Sequence, residues 1–507
     1  MPTAIKDESN RERAQQVFLL YLLAGFIALA ASHLPVELSD PRLQTVAVSL
    51  GILGVWRYSW WLTHLIRAQI YARRVYPRLR ARADALWQQG WRPGRMHFMM
   101  TTFREETAIT HAVLDSIVQQ CREIACPATL YIGAGHASDE DVIQKYFAAL
   151  EHPVRLEVIL IRQTYPGKRM AIGLVLRAMS RDGISGDDPV IFLDGDTILE
   201  QGCARRCIAI FGVEPDIEAL TTDERAIVHG PGWIQRWLDM RFAQRHMAMQ
   251  SHALSRKVLT LTGRMSVFRA RSVLHEEFIS TIENDFLDHW LWGRFRFLSG
   301  DDKSSWYVLL RRGANMLYVP DAMCYTVERI TGNGVERMKA NLLRWSGNML
   351  RNGTRARALG PRRVGPFIWW CILDQRLATW TTLVGPIGAL AAVLFITPWA
   401  LLGYLLWVLF VRLIASVVLF GYARKIDAAF PFLLYINQLL NASLKLYIWF
   451  RLPQQRWSNR GDQRADSGAS AGVRVRHLMA SYLTHLSIVA LAAAVLLYSQ
   501  LIQWPWH

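Results

Sequence analysis

The chain has 507 residues, 52% of them hydrophobic and 20% charged, and its 58 basic residues outnumber 41 acidic ones for a formal charge of +17. It is too apolar for a purely soluble enzyme and too charged to be a bundle of membrane helices alone, so a soluble domain held between membrane segments is expected. Six cysteines show no CxxC pair and no Cys/His metal spacing, so they read as ordinary reduced thiols of a cytosol-facing protein and not as a disulfide framework.

A charged tail ending at Arg13 precedes a first apolar segment, Val17–Ala31, and a second runs from about Leu43 to Ile66 with Arg57 inside it. Both approach the ~20 residues a spanning helix requires. No cleavable signal peptide is read in the first. The link between them holds one Arg and no Lys, whereas Arg67, Arg73, Arg74, Arg78, Arg80 and Arg82 follow the second. The excess of basic residues on that side places the N-terminus and everything after about Arg67 in the cytoplasm. Beside a membrane helix, this basic run points to lipid headgroups, and no nucleic-acid partner is expected.

From Arg95 to about Glu328 the pattern alternates strand and helix. Met96–Thr101, Ala128–Ile132, Arg155–Ile161 and Pro189–Leu193 read as strands, with helices over Thr107–Gln120 and Met170–Met179. Such alternation predicts a parallel-centred sheet with helices on both faces. Trp233, Trp237, Met240 and Met247 share one helical face, that of an amphipathic interfacial helix or equally of a domain-packing one; the spanning segments around the domain favour the membrane interface. A further helix, Gly334–Arg351, carries Arg344 and Trp345. The remainder is membrane: spans at Phe367–Ile396, Trp399–Leu419 and about Leu478–Ile502, an interfacial helix at Pro431–Phe450, and a polar linker, Arg451–Arg476. That makes five spans, which would leave the C-terminus outside the cytoplasm, with an even count as the alternative. The expected division is 1–66 (tail and two transmembrane helices), 67–94 (basic juxtamembrane segment), 95–330 (catalytic domain), 331–362 (amphipathic acceptor-site helix) and 363–507 (C-terminal transmembrane and interface helices).

The Pro189–Leu193 strand ends in Asp194–Gly195–Asp196, which delivers two carboxylates to one side of its C-terminal edge. In open α/β sheets ligands sit at that edge. Two close carboxylates without a His or Cys cluster suit a hard cation that also takes phosphate oxygens, Mg²⁺ or Mn²⁺. About a hundred residues on, Gly300–Asp301–Asp302, placed at the end of a strand or loop, brings a second pair. A transfer site also needs one carboxylate clear of the metal to accept the acceptor's proton, and Asp302 is the candidate, with Asp301 as its neighbour. Arg344 offers a fixed cation for a departing diphosphate, and Trp345 a flat apolar face for a ring.

The ordered set Thr102–Glu106, Pro166–Lys168, Asp194–Asp196, Thr262–Arg264, Gly300–Asp302 and Arg344–Trp345 resembles the family-2 membrane glycosyltransferases, which include cellulose, chitin and hyaluronan synthases. A narrower likeness, to the catalytic subunits of bacterial alginate polymerases, rests on Thr260–Phe268, Glu283–Asp285, Gly293–Phe297 and Gly300–Trp306. The family resemblance implies a GT-A domain (a mixed sheet flanked by helices) inserted between N- and C-terminal transmembrane helices. It also implies an inverting mechanism, a nucleotide-diphosphate sugar donor, Mg²⁺ or Mn²⁺, and export of the growing polysaccharide through the enzyme's own spans. The narrower likeness implies GDP-mannuronic acid and a β-1,4-linked polymannuronate. It further implies control by cyclic di-GMP through a co-polymerase subunit, the Arg451–Arg476 linker being too short for a sensing domain.

Carried over residue by residue, Asp196 becomes the metal ligand, with Asp194 as second ligand or donor contact. Thr102, Glu105, Lys168 and Arg344 face the donor, Asp302 is the general base, and Trp345 stacks on the acceptor beside Asp301 and Gly263. The chain departs from the family twice: Ile132–Gly133–Ala134–Gly135–His136 stands where many relatives have an Asp pair, and Asn341 begins a motif that relatives begin with Gln. Arg57 and Arg376, inside apolar segments, suggest a path for a polyanion, because a charge there normally faces a polar cavity. Two other readings stay open: a synthase of a neutral or hexosamine polymer, and a non-processive lipid glycosyltransferase.

Overall fold

A computed structural model describes residues 9–163, 167–457, 463–464 and 471–502. Pro166 and part of the Arg451–Arg476 linker lie outside the described residues. The N-terminal part comprises α1 (Asn10–Ser32), α2 (Pro41–Ile70), one π-helical turn (Tyr71–Val75) and α3 (Tyr76–Gln88). The central domain follows with β1 (Met96–Thr102), α4 (Thr107–Ile124), β2 (Ala128–Ala134), α5 (Ala137–Ala148), β3 (Leu156–Arg162), α6 (Lys168–Arg181), β4 (Pro189–Asp194), β5 (Thr197–Leu199), α7 (Cys203–Val213) and β6 (Ile217–His229). It continues through α8 (Gly232–Ala253), β7 (Met265–Arg269), α9 (Ala270–Val273), α10 (Glu276–Glu283), a hairpin of β8 (Phe286–His289) and β9 (Gly293–Arg296), α11 (Asp301–Arg312) and β10 (Asn315–Arg329). Then come α12 (Gly334–Ala358), α13 (Gly360–Val364), α14 (Pro366–Phe395), α15 (Trp399–Phe420), α16 (Phe430–Trp449) and α17 (Ala471–Tyr498).

The central sheet runs β3-β2-β1-β4-β7-β6-β10-β5. Its first four strands are parallel; β7 is antiparallel to β4 and β6, β10 parallel to β6, and β5 antiparallel to β10. All seven residues of β1 and the first five of β4 are buried. Central strands covered on both faces read as continuous apolar runs, which is why Val190–Leu193 shows no alternation. Pro189 is tolerated because it is the first residue of its strand. Phe98, Leu130, Ile191 and Val267 pack with helix residues such as Val113, Ile117 and Val175 in one core, each worth about 1.5–3 kcal/mol of burial. The expected sheet is present, with a mixed half that alternation alone does not predict.

Among the described residues four helices are long and apolar enough to cross a membrane: α1, α14, α15 and α17. The fifth expected span is α2, which has the length but not the hydropathy of the others. It exposes an apolar stripe through Val48, Ile52, Val55, Leu62 and Ile66. α16 is also not among the four, and it packs against α12, α14 and α15.

Two expectations are corrected. The Trp/Met face of α8 is not left for a bilayer: Trp237, Met240 and Met247 are buried, and the helix packs against α2, β6 and α16. A periodic apolar stripe reports burial, and here protein supplies the cover. The basic run does not turn wholly to lipid either. Arg80 is bound to Asp321 and the Arg206 carbonyl, Arg82 to Glu214, and Arg67 to Ser251 and Ser255. Arg73, Arg74 and Arg78 stand exposed, as does Arg82 despite its pairing with Glu214.

Candidate active site

Parallel pairing of β4 with β1 sets Asp194 beside Thr101 at the sheet edge. The chain then turns through Gly195, where a Cβ would stand 2.8 Å from the Thr101 carbonyl oxygen and 3.1 Å from Thr102 Cα. Both neighbours are backbone, so glycine is what lets Asp194 and Asp196 leave the strand together. Thr102 lies buried under this turn and is not part of the cavity wall. Asp196 Oδ2 accepts from Thr326 Oγ1 at 3.0 Å, because β10 pairs Thr326 with Thr197. Gly195→Ala is expected to cost about 1–3 kcal/mol of stability through overpacking and to lower donor affinity, checked by thermal unfolding and donor titration.

Asp301 and Asp302 do not close a strand or loop; they open α11. Gly300, at φ +85°, precedes the helix with its Cα so close to Asn348 that a Cβ would lie 2.7 Å from Asn348 Cγ. The helix N-terminus favours carboxylates electrostatically, and Asp302 Oδ1 accepts from the Lys303 amide at 2.8 Å. Behind it stands a brace that sequence reading matched only as a likeness. Ser304 Oγ donates to Asp285, which takes a two-point contact from Arg355. Arg169 donates to Ser299 O and Ser304 Oγ, and Glu283 takes both arms of Arg177 at 2.7 Å. Two-point guanidinium–carboxylate pairs fix geometry as well as charge.

Lys168 joins the two carboxylate pairs. Its Nζ is 2.6 Å from Asp194 Oδ1 and 2.9 Å from Asp301 Oδ2. Gly263 faces the same gap: a Cβ there would lie 3.4 Å from Asp194 Oδ2, 3.5 Å from Lys168 Nζ and 3.8 Å from Asp302 Cβ. Burial, reinforced by the charges of Asp196 and Asp301, raises the Asp194 carboxyl above its usual value despite Lys168. Burial works on Asp301 too, but Lys168 and Arg169 hold it below the usual range. Burial and the neighbouring Asp301 raise Asp302. One carboxylate beside another is thus kept the more basic of the two.

These groups line a cavity of about 630 Å³, with Glu105, Arg264, Arg344 and Trp345 on its walls. Arg344 Nη2 donates to Asn341 Oδ1 at 3.3 Å, so Asn fills the position where relatives have Gln. Across the mouth Arg329 pairs with Glu106 at 2.7 Å. At the end of β2 the acids are engaged elsewhere: Asp139 accepts from the Arg104 amide and Glu140 from Arg162. Sequence reasoning missed Glu224, which is buried and receives Thr262 Oγ1 at 2.5 Å, Arg264 at 3.1 Å and Arg245 at 3.1 Å. It orients the Thr262–Arg264 loop; in the sequence it lies inside the polar run Thr221–Arg225, which carries no strand or site signal. Among the described lining residues the donor set beside Asp194 and Asp196 is all oxygen, and each of these two has one oxygen committed, to Lys168 and to Thr326 respectively. The set fits a hard divalent cation.

Arg57 and Arg376 lie away from this cavity. Arg57 is not unpaired as expected: its Nη1 is 2.5 Å from Asp374 Oδ1 of α14. Arg376 donates to Thr354 Oγ1 and lies over the Trp449 ring at 4.6 Å. Between them and the site runs a buried track. Trp345 stacks on Trp237 at 6.0 Å, Arg241 lies over both rings, and Asn437 accepts from Trp237 Nε1 and Arg241. Lys445 of α16 is within electrostatic reach of Arg241, Asp374 and Arg57.

A family model described as glycosyltransferase like family 2 matches residues 93–348. A relative named glycosyltransferase alg8 from Pseudomonas syringae pv. tomato is 37% identical over 460 residues, covering 90% of this chain and 92% of its own. Another of that name from Azotobacter vinelandii is 38% identical over 444 residues, 87% of this chain and 89% of its own. Among solved structures, a mannosyltransferase from Pyrobaculum calidifontis in complex with GDP-Man and Mn²⁺ aligns over 79% of this chain and 98% of its own, at 16% identity and a TM-score of 0.44.

Proposed function

The chain belongs to the family-2 glycosyltransferases, and from that membership we propose that it polymerises an acidic exopolysaccharide, β-1,4-linked mannuronate, from GDP-mannuronic acid. It does so at the cytoplasmic face of a bacterial inner membrane and passes the chain outward between its own helices. The observation that carries this reading is the convergence of Asp194, Asp196, Lys168, Asp301, Asp302 and Arg344, from separate segments, on one cavity that ends at Trp345.

Asp302 takes the proton of the acceptor hydroxyl as that oxygen bonds to the anomeric carbon from the side opposite the leaving nucleoside diphosphate, which inverts the configuration. Lys168 and Arg344 hold the diphosphate charge, and Trp345 holds the acceptor ring. A divalent cation held by Asp194 and Asp196 would neutralise the donor's phosphates. Arg241, Lys445 and Arg376 give the track beyond Trp345 a cationic character that suits a polyuronate and has no use for a neutral glucan, while Arg57 is balanced by Asp374. A cyclic di-GMP-sensing co-polymerase subunit is the assigned partner for control.

Reconstituted protein supplied with single radiolabelled donors tests the proposal. Polymer from GDP-mannuronate alone, abolished by EDTA and restored by Mg²⁺ or Mn²⁺, is the expected result. Incorporation of a neutral hexose or a hexosamine instead would sink the acidic-product reading. Trp345→Ala is expected to shorten the product and weaken acceptor engagement by up to about tenfold, since an aromatic contact carries roughly 0.5–1.5 kcal/mol beyond its area. Trp345→Phe should keep most chain length, as read on sizing gels.

A further inference from the structure

His64 of α2, His252 of α8 and Cys371 of α14 are separated by more than a hundred residues in sequence, yet one ligand atom of each lies within 4.8 Å of the others. His252 and Cys371 are 5% and 2% exposed. We propose that these three side chains form a structural binding site for a zinc-type transition-metal ion, distinct from the hard-cation site at Asp194 and Asp196.

The donor chemistry sets the class. One thiol and two imidazoles are borderline-to-soft ligands, which select zinc over Mg²⁺ or Mn²⁺. The geometry is near what a tetrahedral ion asks for. Metal–N of ~2.0 Å and metal–S of ~2.3 Å place ligand atoms roughly 3.3–3.5 Å apart, and Cys371 Sγ is 4.0 Å from His64 Nε2.

Two further features bear on the cluster. His64 Nδ1 is engaged with Ser251 Oγ at 3.0 Å, which leaves Nε2 as the nitrogen turned toward Cys371. Fixing the far ring nitrogen by a hydrogen bond is how metal-binding histidines are oriented. His252 Nδ1 is buried with no hydrogen-bond partner, a position that costs free energy unless something else satisfies it. The nearest cation, Arg67, is committed to Ser251 O, to Ser255 Oγ and to the face of Phe367 at 3.6 Å. An ion here would tie α2 and α14, which carry the Arg57–Asp374 pair, to α8 of the catalytic domain. Lys303, next in the chain to Asp302, lies within electrostatic reach of His252, so the clamp stands directly behind the site.

The test uses the full chain purified in detergent without chelator. Elemental analysis is expected to find about one zinc per chain, held by the three side chains with water in the fourth position. That zinc should be lost in Cys371→Ser and in His252→Ala but kept in a Cys121→Ser control. Co²⁺ exchanged into the wild type should develop a thiolate-to-cobalt band that Cys371→Ser lacks. Should either ligand variant fail to fold, Ser251→Ala keeps all three ligands and should bind zinc about 10–100-fold more weakly. Wild-type protein holding no zinc above the control background, and giving no thiolate band with Co²⁺, would overturn the proposal, whatever its transferase activity with Mg²⁺ or Mn²⁺.

Discussion

Asp302→Asn should lower glycosyl transfer by about 10²–10⁴-fold, the range general-base removal produces, with donor affinity nearly unchanged. The carboxylate accepts one local hydrogen bond, from the Lys303 amide, and among the described residues it has no ion pair. An amide of the same shape therefore keeps the helix start intact and removes only proton acceptance. The pH profile adds a second check. Asp302 is raised by burial and by Asp301, while Lys303 and Lys168 pull it down. The rate needs the deprotonated form, so it is fully present at high pH and falls as pH drops through a value above the ordinary carboxylate range. Asp301→Asn removes the raising charge and should move that acid limb downward. Rapid single-turnover measurements with separate donor titration read both effects. Sustained polymer synthesis by Asp302→Asn would remove this residue from the chemistry.

The central domain was legible because its strands announce themselves. Val190–Leu193 is a continuous apolar run, and such a run ending in Asp194–Gly195–Asp196 admits few other places than a sheet edge. What stayed hidden depends on partners remote in sequence. Nothing near Arg57 says that Asp374, 317 residues away, will neutralise it. Lys168 could be assigned to phosphate by resemblance, but not to a bridge between Asp194 and Asp301. The Asp301–Asp302 pair was misplaced because a Gly before two acids reads equally as a turn and as a helix N-terminus. Asn348, which enforces Gly300, arrives on a later helix. α8 was misjudged for a related reason: Trp and Met at helical spacing look the same beneath protein as beneath lipid.

The cavity also shows how a site can gather acids around one lysine. Asp194, Asp196, Asp301 and Asp302 all line it, and Lys168 is the cation in contact with two of them. Asp285, by contrast, has Arg355, and Glu224 has Arg245 and Arg264. The structural carboxylates are paired to arginines held in fixed geometry, whereas Asp194 and Asp301 share one lysine. A lysine is a point charge on a mobile stem and can follow an incoming phosphate, which a clamped guanidinium cannot.

Lys168→Met is accordingly the change with the widest consequences. Lys168 is 8% exposed, and its loss leaves Asp194 and Asp301 facing each other without a cation. Breaking a buried ion pair from one side costs about 3–5 kcal/mol, and this lysine serves two partners. Destabilisation in EDTA should be large at neutral pH and shrink as the pH falls, because protonating Asp194, already raised by its surroundings, removes the repulsion. Mn²⁺ should recover more stability in the variant than in the wild type, since a cation at Asp194 and Asp196 replaces part of the missing charge. Catalysis should not recover with it, because the donor phosphates have still lost their lysine. Thermal unfolding across pH, with and without Mn²⁺, separates these effects. A variant as stable as the wild type in EDTA at neutral pH would mean that Lys168 does not bridge the two carboxylates in the free enzyme.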